Sequence, residues 1–200
     1  MKEKIIFNTG FILVFVSLYF LLSEKIDYYK LLINNEIKVQ KIKKNEEEKI
    51  NIKDDLTNYE IEADDNKSEQ FSAIIKIPSI NLENVLVPIN SPENAINQNI
   101  KTMEISTYPD IKSGNLILMA HSGTGRLAFF ANLYKLNLND EIYIYYNNKE
   151  YKYILSDIYT ENKDGDVVIK RDRLKTTLTL ITCTYKDKTS QTVYIAYLSE

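Results

Sequence analysis

Sulfur and imidazole are nearly missing from this chain. Its 200 residues hold one cysteine, Cys183, and one histidine, His121. A disulfide within one chain is therefore excluded. A Cys/His zinc site is nearly so, because structural zinc takes four protein ligands and catalytic zinc three. A basic excess is lacking too. Lysine plus arginine number 25 against 28 aspartates and glutamates, a formal net charge of −3. That balance argues against a general nucleic-acid binder. Apolar content is not lacking: hydrophobic residues make up 44%, and the strand-rich second half rules out full disorder.

Three segments follow from composition. In the first, residues 1–32, the run from Ile5 to Leu22 carries no charge. As a helix it would be about 27 Å long at roughly 1.5 Å per residue, close to a bilayer core of about 30 Å. It is expected to be an uncleaved transmembrane anchor. A signal peptide is the rival, but the apolar run is long and Leu21-Leu22-Ser23-Glu24 offers no small-residue cleavage site. Lys2 and Lys4 precede the run while Lys25 and Lys30 follow it, so charge bias barely decides orientation. The second segment, 33–70, mixes Lys, Glu, Asn and Asp with scattered Ile. It reads as a solvated stalk, a frayed amphipathic helix at most.

The third segment, 71–200, reads as the folded domain. Strands are expected at Phe71–Ile77, Val85–Ile89, Asn115–Ala120, Val167–Ile169, Thr176–Thr182 and Thr192–Leu198. Glu141–Tyr146 and Glu150–Leu155 alternate and read as a hairpin joined by Asn147-Asn148-Lys149. Within it, Tyr143/Tyr145 and Tyr151/Tyr153 are expected to be strand faces with aromatic cross-strand contacts rather than a binding face. Ser91-Pro92-Glu93 resembles a helix start, and Leu127, Phe130 and Leu133 suggest a short helix. The fold class is mostly β: a closed barrel of about eight strands with short helices, preceded by the N-terminal transmembrane helix.

Cys183 ends the strand Thr177-Leu178-Thr179-Leu180-Ile181-Thr182-Cys183. With period two, Leu178, Leu180 and Thr182 share one face, and Thr179, Ile181 and Cys183 the other. A buried structural thiol is a common fate for a free cysteine. A cysteine where a strand meets a loop is also a good nucleophile position. His121 likewise follows an apolar strand and precedes Ser122-Gly123-Thr124-Gly125, which lacks the Gly-Lys-Ser/Thr ending of a phosphate loop. Cysteine chemistry needs a thiolate, and a nearby imidazolium stabilises one.

Leu178–Cys183 resembles the active-site strand of sortases, the membrane-anchored cysteine transpeptidases of Gram-positive bacteria. Asn115–His121 resembles the strand that delivers their histidine. Phe130-Ala131-Asn132-Leu133 and Ile75-Lys76-Ile77-Pro78-Ser79-Ile80, with Val87-Pro88-Ile89, are similar to the family as well. The resemblance spans about 71–200. One position departs. Sortases usually carry an arginine on the strand after the cysteine, and here Gln191 precedes Val193-Tyr194-Ile195-Ala196. The chain's arginines, Arg126, Arg171 and Arg173, match that position nowhere. Either Gln191 donates a neutral hydrogen bond to a substrate carbonyl or developing oxyanion, or the domain has lost activity.

The resemblance implies a Cys183 nucleophile, a His121 acid–base, and Gln191 at the arginine's position. It implies substrate contacts from Ala120, Ser122, Thr182, Val167 and Val168, the last two in the substrate loop Glu161–Val168. A packing or hydrogen-bonding role for Thr182 is the other expectation. The implied partners are secreted proteins with a C-terminal sorting signal similar to Leu-Pro-x-Thr-Gly, and a cell-wall peptide amine or its lipid-linked precursor. The implied location is the cell membrane, single-pass, with the domain outside the cell. No cofactor, metal or nucleic acid is expected. Asp164 and Asp166 lack a convincing partner set for calcium. A second apolar span is not seen, which favours single-protein anchoring over pilin polymerisation. A tethered peptide-binding module and a hydrolase remain open alternatives.

Overall fold

A computed structural model of the chain describes residues 12–20, 22, 23, 25, 26, 29, 30, 33–41, 43, 44, 73–163 and 165–199. The chain divides into two units, Met1–Lys38 and Val39–Glu200. The described part of the first is helical. Its apolar side chains, Phe15, Leu18 and Phe20 among them, are exposed. Among the described residues no helix is long and apolar enough to cross a membrane. Much of the expected anchor, residues 5–11 and 21, lies outside the described residues, as does most of the expected stalk.

In the second unit, Val39 is buried against Ile74 and Val85, with Tyr145 packed alongside. The ammonium of Lys43 sits 2.6 Å from Glu83. At least this part of the charged segment therefore has a face that meets a sheet.

Eight strands make one sheet: β1 (Ala73–Ile77), β2 (Leu82–Leu86), β3 (Lys101–Thr102), β4 (Asn115–Met119), β5 (Glu141–Tyr146), β6 (Lys149–Asn162), β7 (Thr177–Cys183) and β8 (Ser190–Leu198). Their order is β2-β1-β5-β6-β8-β7-β4-β3, a nearly closed barrel with β2 and β3 at its two edges. All pairings are antiparallel except β4 with β7. β6 serves two neighbours. Its early residues pair with β5 and its later ones with β8, with a register shift between Leu155 and Asp157. A bulge there bends and twists the strand, as sheet closure requires.

The parallel pair is apolar on both faces, as strands covered on both sides are. Leu116, Leu118, Leu178 and Leu180 point into the main core with Phe130 and Tyr153. Ile117 and Ile181 point the other way, joining Val193 and Ile195 under Met119, Val167 and Ile169. The expected faces of β7 are those observed.

Four local expectations fail, each for a traceable reason. The hairpin turn has two residues, not three. Asn147 and Asn148 both adopt left-handed backbone, with φ of 50° and 59°, as the preferred two-residue hairpin turn requires. Lys149 thus pairs with Tyr146, and Tyr143 faces Lys152 while Ile142 faces Tyr153. A one-residue shift flips every side chain in the pairing, so the tyrosine pairs do not meet across the strands. Tyr143 instead donates to Glu141.

Ser91-Pro92-Glu93 starts turns rather than a helix. The Asn94 side chain accepts from the Thr102 N–H at 2.7 Å and donates to the Thr102 and Ile89 carbonyls. Such side-chain bonds offer the backbone an alternative to helix. The helix expected around Leu127–Leu133 shrinks to a 3-10 turn, Leu133–Lys135, because the Phe130 N–H donates to the His121 carbonyl at 2.9 Å. Val167–Ile169 is not a strand. The Tyr159 hydroxyl donates to the Val168 carbonyl and accepts from the Lys170 N–H, both at 2.8 Å, which pins that loop without a ladder.

Tyr153 is fully buried and its hydroxyl has no partner among the described residues. Burial pushes its phenol well above the ordinary value. An unpaired buried hydroxyl costs stability, about 1–3 kcal/mol in mutational series. Tyr153→Phe is therefore expected to leave stability unchanged or raise it by about 1 kcal/mol in urea unfolding. A loss above that would mean the hydroxyl is satisfied in solution.

Candidate active site

Cys183 is the last residue of β7, and the only residue of that strand not fully buried. Six preceding residues are locked between two packed faces, so the thiol sits on a rigid support at the point where solvent begins. Rigid placement of this kind is what a nucleophile needs.

The register of β4 and β7 brings His121 to the same place. Met119 pairs with Ile181, so the next steps align Ala120 with Thr182 and His121 with Cys183. Bonds across the gap carry the alignment past the end of β4. The Ala120 N–H donates to the Ile181 carbonyl at 3.4 Å. The Thr182 hydroxyl donates to the Ala120 carbonyl at 2.7 Å. The Ser122 hydroxyl donates to the Cys183 carbonyl at 2.7 Å. Both chain neighbours of His121 are thus tied to the end of β7. Its own carbonyl is held by Phe130, a fully buried core residue. The imidazole itself is exposed. Alternation along β4 puts it on the face of Ile117 and Met119, which is the Cys183 face of β7.

Gln191 lies directly opposite Cys183 in the β7–β8 pairing. Directly opposed residues share a face, with Cβ atoms about 4.5–5.5 Å apart. Gln191 is 7% exposed. The position is therefore beside the thiol, with an amide where an arginine was expected. Arg171 is occupied elsewhere: its guanidinium donates to the Ser113 and Lys175 carbonyls and to the Thr177 hydroxyl, at the start of β7.

One group was not foreseen. The Lys163 ammonium is 3.1 Å from the Cys183 sulfur. Alternation in the sequence ends at Leu155, whereas β6 runs on to Asn162. The β-favouring run Ile158-Tyr159-Thr160 was the available signal.

The expected substrate contacts divide. Val168 is 54% exposed, and Ser122 is partly exposed. Val167 packs against the outer cluster of Ile117, Ile181, Val193 and Ile195. Ala120 and Thr182 are buried and bonded to each other. Thr182→Val keeps the volume but removes the hydroxyl. It is expected to cost about 1–2 kcal/mol, and Thr182→Ser to restore most of that, as read from denaturant midpoints. A cost below about 0.5 kcal/mol for Thr182→Val would remove the bond from this account.

The turn after Cys183 is also built. Asp187 accepts from the Ser190 hydroxyl at 2.5 Å and from the Thr189 hydroxyl and N–H. Those bonds hold its carboxyl down at about 2. Tyr185 stacks on Tyr134 at 3.9 Å between ring centres, tying this turn to the 3-10 helix. Among the described residues no group of three acidic, Cys or His side chains is arranged to hold a metal. Asp164 lies outside the described residues.

Comparison with known proteins points one way. The family model described as the Sortase domain matches residues 75–199. Sortase A of Bacillus anthracis is 28% identical over 109 residues, 54% of this chain and 50% of that protein. The match thus spans half the length of that curated relative. A Clostridium perfringens Sortase D5 transpeptidase superposes with a TM-score of 0.55 at 25% identity, over 65% of this chain and 79% of that one. Sortase A from Corynebacterium diphtheriae, as a lid mutant, gives a TM-score of 0.59 at 22% identity, over 68% and 74%. These relatives belong to more than one sortase class and leave the class of this chain open. The matched residues contain the barrel, the strand that ends in Cys183 and the one that leads to His121, and the chain belongs to the sortase family.

Proposed function

We propose that the domain is a cysteine transpeptidase acting on a sorting signal similar to Leu-Pro-x-Thr-Gly. The observation that supports this reading is the tie between the two strand ends, Ser122 to Cys183 and Thr182 to Ala120, at the position of the only cysteine and next to the only histidine.

The Cys183 sulfur attacks the carbonyl carbon before the scissile bond. An S–C bond forms and the carbonyl electron pair moves to oxygen. When the carbonyl re-forms, the C–N bond breaks and His121 gives a proton to the departing amine. The thioacyl-enzyme is then attacked by an incoming amine, whose proton His121 takes up, and Cys183 is released. The acceptor is a cell-wall peptide amine or its lipid-linked precursor. The proteins served are secreted proteins with a C-terminal signal. The uncharged run Ile5–Leu22 is proposed as a single-pass anchor that keeps the domain outside the cell at the membrane surface.

A second reading rests on Gln191. With an amide in the arginine's place, the domain would hold a sorting peptide without cutting it. Cleavage separates the two. The full chain in mild detergent, given sorting peptides and an amine acceptor, is expected to yield the amine-joined product by mass spectrometry. A hydrolysed product alone would make the protein a hydrolase at the same site. No product with intact binding would support the tethered module.

A further inference from the structure

The side chain nearest to an explanation for the missing arginine comes from another strand. We propose that Lys163 supplies the positive charge at the reacting sulfur, and this rests on the transpeptidase reading above. β6 pairs with β8 through Glu161↔Gln191 and Asn162↔Ser190. The Lys163 N–H then donates to the Thr189 carbonyl at 2.9 Å, so the backbone of Lys163 is fixed at the end of the ladder. Alternation places Glu161 and Lys163 on the face that Gln191 and Cys183 share. From β6, the lysine must cross β8 to reach β7, two strand spacings or roughly 9–10 Å. The lysine side chain and the 3.1 Å contact between its ammonium and the sulfur together bridge that span.

The neighbouring charges leave it available. Glu161, the carboxylate closest along the strand, is 2.6 Å from the Lys170 ammonium. Lys170 also lies over the Tyr159 ring at 4.7 Å. Among the described residues no carboxylate pairs with Lys163. Its hydrogen-bond donors are aimed at the thiol instead.

Two consequences follow from elementary electrostatics. The ammonium 3.1 Å from the sulfur is placed to balance the negative charge that the attacking sulfur carries. A unit-charge pair at that distance contributes about a factor of ten even in a water-like dielectric. Once the S–C bond forms, the carbonyl oxygen beside it carries the negative charge. The ammonium has three N–H donors, one of which can turn to that oxygen. Lys163 gives up no proton in this scheme. It donates hydrogen bonds while His121 handles the leaving and entering amines.

Cys183 is the only thiol in the chain, so alkylation of the full-length protein by iodoacetamide reports on it alone. At pH 7 and low salt, Lys163→Met is expected to slow labelling about tenfold. Lys163→Arg is expected to stay within about threefold of the native rate. Peptide transfer in Lys163→Met is expected to lose about a hundredfold in kcat with KM within threefold. Native labelling rates in Lys163→Met would overturn the proposal. So would equal slowing by Met and Arg, or a loss confined to KM. The labelling arm uses no peptide, so it decides the role of Lys163 even if no sorting peptide is cut. Failure of cleavage with normal charge-dependent labelling would sink only the transpeptidase reading.

Discussion

Cys183→Ala is expected to lower amine transfer by about ten-thousandfold or more, to the level of the uncatalysed background. The reason is that no second group can take over. The chain has no other thiol, and besides His121 the side chains beside it on that face are an amide, Gln191, and an ammonium, Lys163. Neither attacks a peptide carbonyl while amidated or protonated. The thioacyl route splits one difficult acyl transfer into two easier ones, and without the sulfur there is no first half. His121→Ala is expected to cost nearly as much. In the double variant the losses should not multiply, because groups that act as a unit are strongly non-additive. Product formation by the full chain is the measurement, with mass spectrometry of the acyl-enzyme as a second readout. Stability should hardly change, since Cys183 is half-buried at a strand end. Transfer that persists in Cys183→Ala would refute the proposed chemistry. A tetrad of activity, acyl-enzyme, alkylation and folding can therefore be read on one thiol.

The second large effect is on stability. Phe130→Ala is expected to lower the unfolding free energy by about 3–5 kcal/mol, the usual range for a buried phenylalanine. Phe130 is fully buried among Leu118, Leu133, Leu178 and Leu180, within the core shared by β4 and β7. Truncation removes its apolar contacts and leaves a hole that stiff strands cannot close. Phe130 has a second duty, because its N–H holds the His121 carbonyl. That bond is backbone and survives the substitution, but its anchor does not. Transfer is therefore expected to fall in Phe130→Ala even where the protein remains folded, and to recover partly in Phe130→Leu. Urea midpoints measure the first effect and kcat well below the midpoint the second. A cost under about 1 kcal/mol would mean that this loop does not depend on the core.

Strands buried on both faces are legible in the sequence. β4, β7 and β8 are apolar runs bounded by polar turns, and their ends were found within a residue or two. β7 also showed its faces, because Leu178 and Leu180 against Ile181 left no ambiguity of period. Segments whose backbone is decided by one bond from elsewhere in the chain are not legible in this way. The turns at 91–100 follow Asn94 bonding to Thr102, and the loss of the helix near Leu127 follows Phe130 bonding to His121. The hairpin failed by one residue, which was enough to part the tyrosines. β3 was missed because Lys101–Thr102 has almost no pattern to read.

A mostly β domain, a lone cysteine and a lone histidine at strand ends, and the family they resemble are all legible in the amino-acid order. They are so because strand periodicity and a motif ending in a reactive side chain are local properties. Which side chains surround the thiol was a matter for the tertiary structure alone. The parallel pairing of β4 with β7 aligned residues far apart in the chain, and the β6–β8–β7 order brought Lys163 across to Cys183. Charge acts through space, and no spacing along the chain says which cation will end within hydrogen-bonding distance of a sulfur.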